Sequence, residues 1–160
     1  MSVTLTNALE ALSGDIIING KMHTTDGGIA SQYKNNTGAT SVKGTIVQLD
    51  TTEDEAVIIS PAGSDMLMGV MYSAGVADEG TVWVVTIDDA YVLLEDSTAA
   101  TAGYWVKMSD TQDGRADATN ASPPGGTISA LEDHMTETGH AEESVTAGTD
   151  KLCKVHMHHN

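Results

Sequence analysis

The sequence predicts a mainly β chain, an antiparallel β-barrel or β-sandwich with an N-terminal arm and one short helix near the C-terminus. Three observations predict it. Short apolar runs recur between turn residues at a spacing of about ten residues, the pattern of barrels and sandwiches rather than of alternating βαβ units. Three of these runs start on a glycine: Gly44-Thr45-Ile46-Val47-Gln48-Leu49, Gly80-Thr81-Val82-Trp83-Val84-Val85 and Gly103-Tyr104-Trp105-Val106-Lys107-Met108. Two of them are followed by acidic turn residues and a returning run, which reads as a repeated strand–turn–strand unit.

Residues 1–31 differ from the rest. Leu5, Ala8, Leu9 and Leu12 fall at i, i+3, i+4 and i+7, an apolar stripe on one helix face, and Gly14 ends it. A helix this short is marginal in water and needs something to pack on, either the domain's own core or a partner subunit. Asp15-Ile16-Ile17-Ile18 reads as a strand, and Asn19-Gly20 is a strong hairpin signal. The segment 1–31 is expected to be an N-terminal arm that contacts a neighbouring subunit.

Residues 32–160 form the expected domain. Its candidate strands are 30–34, 44–49, 56–60, 66–73, 80–87, 91–94, 104–108 and 115–118. The continuous apolar runs Val82-Trp83-Val84-Val85 and Ile46-Val47 suggest strands covered on both faces, as by a neighbouring subunit. Ser122-Pro123-Pro124-Gly125-Gly126 breaks the pattern. Thr127 then caps an expected helix over about 128–138, with Ile128, Leu131 and Met135 on one stripe, Ser129 and Glu132 placed as a capping box, and Gly139 as its C-cap. A last strand is expected over about 151–158, with Cys153, Val155 and Met157 inward and Lys154, His156 and His158 outward.

One domain is the default for 160 residues. The core has to be built without phenylalanine, from Val, Ile, Leu and the eight Met that fill irregular gaps. The chain has 23 Asp plus Glu against 7 Lys plus Arg. That balance argues against a nucleic-acid backbone and against anionic membranes as partners; it fits a cationic partner surface. Cys153 is single, so no internal disulfide framework exists. Residues 1–13 lack the pattern of a signal peptide, and no run approaches the length of a membrane span. The expectation is synthesis in a reducing cytoplasm.

The histidines are the first candidate site. His156 and His158 share a strand face beside His159, and His134 and His140 flank the expected helix end. Two imidazoles on one strand face bind a transition metal only if a third ligand arrives. No zinc-protease or zinc-finger spacing is present, and the expectation is a solvated or inter-subunit face with no metal and no cofactor. Glu53-Asp54-Glu55, Asp88-Asp89, Asp110 and Asp113 read as turn residues rather than calcium ligands. Gly125-Gly126-Thr127 lacks the lysine of a phosphate-binding loop. No Gly-x-Ser-x-Gly elbow and no distinguished carboxylate pair appear, and Cys153 alternates into the apolar face. No catalytic residue is expected, and the chain is read as a non-enzyme.

Asn35-Asn36-Thr37-Gly38-Ala39-Thr40-Ser41-Val42-Lys43-Gly44-Thr45-Ile46-Val47 resembles a segment of tailed-phage virion proteins, where such a turn leads into the first barrel strand. Gly69-Val70, Gly80-x-Val82-x-Val84, Gly103-Tyr104-Trp105-Val106, Pro123-Pro124-Gly125-Gly126-Thr127 through Leu131-Glu132, and the ending His158-His159-Asn160 are similar to the same type. The resemblance covers about residues 33–160. It implies a capsid decoration (cement) protein that binds the outer face of the head shell and clamps the major capsid protein, often as a homotrimer, with no catalytic residues to carry over. Leu5, Leu9 and Leu12 of the arm, with Tyr104 and Trp105, are the expected partner contacts. The alternatives are a tail or fibre component, and a carbohydrate-binding module stacking sugars on Trp83, Tyr104 or Trp105.

Overall fold

Asn19 and Gly20 both take positive φ, 51° and 74°, the backbone of a two-residue hairpin turn. They join β1 (Ile16–Ile18) to β2 (Lys21–His23), with Ile18 opposite Lys21. The structure, a computed structural model, describes residues 14–120 and 136–158. The expected stripe of Leu5, Leu9 and Leu12 lies outside the described residues.

β2 continues antiparallel into β3 (Ile29–Asn35), followed by β4 (Ile46–Leu49), β5 (Ala56–Ile59), β6 (Gly69–Met71) and β7 (Thr81–Leu93). Five strands close on themselves in the order β3-β5-β4-β6-β7 and back to β3. All pairs in this barrel are antiparallel except β3 with β5, where Lys34 and Asn35 run alongside Ala56 and Val57. A second sheet grows from the far half of β7. It adds β11 (Leu152–Met157), β10 (Glu137–Ala141), β8 (Trp105–Met108) and β9 (Ala116–Thr119), each antiparallel to its neighbour. A parallel bridge between Leu94 and Ala116 returns β9 to the end of β7. Arg115 secures that closure by donating to the Leu94 carbonyl at 3.0 Å and pairing with Asp96 and Asp150.

β7 is therefore the shared wall. Its first half pairs with β3 and β6, and its second half with β11 from Asp88↔Met157 to Leu93↔Leu152. The expected strands 80–87 and 91–94 are one strand of 13 residues. The turn signal at Asp88-Asp89 is locally real, because Asp88 has φ 63°. The strand kinks there and changes partner, as strands do at sheet corners.

The same wall explains the continuous apolar runs. Val82 and Val84 of β7 pack with Val47, Val57 and Met71 in the barrel core. Val85 joins Ile46, Val70, Val92, Leu94, Val106, Met108, Val155 and Met157 in a larger core that includes the second sheet. Ile46 and Val47 thus face different cores. Both faces are covered, and the cover comes from the chain's own two cores rather than from a neighbour.

The sequence-based helix over 128–138 needs correction where it can be checked. Residues 128–135 lie outside the described residues, and among the described residues there is no helix. Glu137 and Thr138 belong to β10, and Gly139, expected as a C-cap, sits in the middle of that strand. Gly139 has φ 152°, and a β-carbon there would stand 2.0 Å from the carbonyl oxygen of His156. The glycine serves close approach of β10 to β11, not a helix end. The strand expected over 151–158 is present with the expected alternation: Cys153, Val155 and Met157 are buried, and His156 is exposed.

Candidate functional site

The Asn-Asn-Thr-Gly segment is a set of local fastenings. Asn35 is fully buried. Its amide nitrogen donates to the carbonyls of Ala39 at 2.9 Å, Val76 at 3.2 Å and Ala77 at 3.1 Å, and its side-chain oxygen accepts from Thr37 at 2.8 Å. Asn36 donates to Asp50, whose carboxyl is held below its ordinary range chiefly by hydrogen bonds from Thr52. The Gly38 amide donates to Asp78 at 2.8 Å. Farther on, Lys43 pairs with Asp26 at 2.6 Å and lies over the rings of Tyr72 and Tyr91. Gly44, with φ 91°, donates to Met71 and accepts from Leu93, and a side chain there would strike Leu152. The motif ties loops to both cores.

The amino-terminal hairpin is anchored at its base and open at its edge. Asp15 accepts from the Thr25 amide at 2.8 Å and the Tyr72 hydroxyl at 2.7 Å. Burial, then the bond to Asp15, push the Tyr72 hydroxyl up. Among the described residues β1 pairs on one side only, with β2. Ile17 is 61% exposed and Ile18 43%. An apolar edge strand of this kind is a template for another chain's backbone and is rarely left uncovered.

The outer face of the second sheet carries the histidines. His140 stands opposite His156 on β11 and opposite Trp105 on β8. The His140 ring packs tilted against Trp105 at 4.3 Å and against His158 at 5.0 Å. The Glu137 carboxylate, 2% exposed, lies 3.1 Å from His158 Nε2 and 3.7 Å from His140 Nε2. His156 belongs to a different group. Its Nδ1 bonds Asp89 at 2.9 Å, which raises the imidazole and, with Lys154, lowers the carboxyl. Lys154 also reaches Glu142 at 2.9 Å.

The structure thus separates His156 from His158 and brings His140 to His158. Tyr104 packs partly buried against the larger core. Trp83 does the same from β7. His134, His159 and Gly125-Gly126-Thr127 lie outside the described residues. Cys153 is buried, and burial, then the nearby Glu143 charge, push its thiol up to about 11, unsuited to a nucleophile. Sequence reasoning missed Glu137 and the exposed Ile17 and Ile18. Glu137 was hidden by the expected helix, although Glu-x-x-His beside a His-x-His strand was a readable signal.

No protein-family model matches the chain. No curated protein matches it either. Among solved structures, the chain is similar to the head fiber gp8.5 N base of bacteriophage phi29, with 16% identity, a TM-score of 0.48, and coverage of 81% of this chain and 92% of that one.

Proposed function

We propose that this chain is a non-enzymatic structural protein of a tailed-phage virion, made in the host cytoplasm and held on the outer surface of the head shell. There it clamps neighbouring copies of the major capsid protein and associates with itself as a homotrimer. The observation that carries the proposal is the amino-terminal edge, a hairpin that exposes Ile17 and Ile18 and, among the described residues, leaves one edge of β1 unpaired. The sequence resemblance over about residues 33–160 points to the same class.

The electrostatics agree. Lys34, Lys43, Lys107, Arg115 and Lys154, five of the seven basic residues, already pair with carboxylates of the chain itself. The surplus acidic surface therefore favours a cationic partner surface. A protein that binds the assembled shell and not its separated subunits shifts the equilibrium toward the shell. Many weak copies add up through avidity.

A tail or fibre position is the alternative within the same class. A cryo-electron microscopy map of the particle separates the two. Density for the barrel and its second sheet on the outside of the shell supports the head position, and density confined to the tail overturns it. Sugar stacking is disfavoured at Trp105, because His140 already packs against that ring.

A further inference from the structure

We propose that Glu137, His140 and His158 form a binding site for one divalent transition-metal ion, with zinc the best match. Two imidazoles and a carboxylate are a recurrent zinc donor set, with the fourth position left to water or an outside ligand. The three ligand atoms all lie within 4.8 Å of one another. Glu137 Oε1 is 3.1 Å from His158 Nε2 and 3.7 Å from His140 Nε2. Donors about 2.0–2.1 Å from a tetrahedral ion stand roughly 3.3–3.4 Å apart, so the two spacings from Glu137 need only small adjustments.

The backbone supplies an independent observation. Residues three apart on a regular strand point to opposite faces. Glu137 and His140 share a face because the register of β10 against β8 shifts between Glu137 and Gly139. Bulges of this kind re-aim side chains next to functional sites. The amide of His158 donates to the Thr138 carbonyl at 3.2 Å, which fixes the third ligand against the same bulge. Trp105 packs against the His140 ring, with centroids 4.3 Å apart.

The neighbouring group of Asp89, Glu142 and His156 is a contrast within the same sheet. There the Lys154 ammonium lies 3.0 Å from Asp89 and 2.9 Å from Glu142, in the place a cation would take.

The test is calorimetric titration of tag-free, EDTA-stripped full-length protein with zinc chloride. One equivalent per chain is expected. His140→Ala and His158→Ala should each weaken binding by about 100-fold or more, whereas His156→Ala should stay within about twofold of wild type. Absence of binding overturns the proposal. So does binding that survives both His140→Ala and His158→Ala, or binding lost equally in His156→Ala, since either would mark an adventitious ion on the histidine-rich end. If an alanine variant loses its β circular-dichroism signal, cobalt titration of the wild type decides instead. Quenching of tryptophan emission that disappears in Trp105→Phe, with binding retained, supports the site. Quenching that remains in Trp105→Phe overturns it.

Discussion

Gly139 approaches β11 so closely that a β-carbon on it would sit 2.0 Å from the carbonyl oxygen of His156. The obstacle is backbone on a paired strand, so it cannot swing aside. Gly139→Ala is expected to destabilise the fold by about 3 kcal/mol, since the residue would combine overpacking with a disfavoured φ. Gly38 also has positive φ, but nothing lies within 4 Å of its would-be side chain. Gly38→Ala should cost only about 1 kcal/mol. Urea denaturation of the two variants measures the difference.

Asn35 holds three carbonyls from two loops with one amide group. Asn35→Ala removes all three bonds, which at roughly 1 kcal/mol each gives an expected cost of about 3 kcal/mol. Thr37→Val removes one bond to the same side chain and should cost about 1 kcal/mol. If Asn35→Ala proves as stable as wild type in thermal melts, the segment is not the fastening described.

Cys153 should be nearly inert in the native protein. With the thiol pushed up to about 11, the thiolate fraction at pH 8 falls roughly 200-fold below that of a free cysteine with pKa about 8.5. The sign follows: raising the pH from 8 to 10 should speed native alkylation about tenfold per unit, while the unfolded chain, with a pKa about 8.5, gains only about fourfold over the whole range. Iodoacetamide labelling followed by mass spectrometry reads both rates. Fast native labelling at pH 8 would contradict the buried placement.

The open edge of β1 yields a fourth expectation. Ile17 and Ile18 are exposed, so Ile17→Lys and Ile18→Lys should change stability by no more than about 0.5 kcal/mol. Both should weaken attachment to the head shell, as charges on an edge strand block strand addition. Deleting residues 1–13 should leave a folded β domain with weakened attachment. Failure of the truncated chain to fold would assign Leu5, Leu9 and Leu12 to the domain's own core.

Much of the local fold was legible, because turn chemistry is written in a few residues. Asn19-Gly20 marked its hairpin, and the inward alternation of Cys153, Val155 and Met157 marked β11. β10 was not legible. Glu137-Thr138-Gly139-His140-Ala141 has no apolar alternation, its strand is set by pairing on both sides, and the preceding Ile128, Leu131 and Met135 suggested a helical period. The continuity of β7 was hidden by Asp88, whose positive φ imitates a turn while the ladder passes through it. The pairings of β3 with β7 and of β10 with β8 join residues distant in sequence, and no local signal encodes them. The site around Glu137 depends on the bulge in β10, so the Glu-x-x-His and His-x-His spacings name candidate residues without showing which of them meet.

The central claim is that the chain fastens a head shell. It is tested most directly by adding the purified protein to heads that lack it and following their disruption by heat. The account expects saturable binding and a rise in the temperature at which the heads break open, both reduced when residues 1–13 are deleted. Heads that bind none of the protein, or that bind it and break open at the same temperature, would contradict the account.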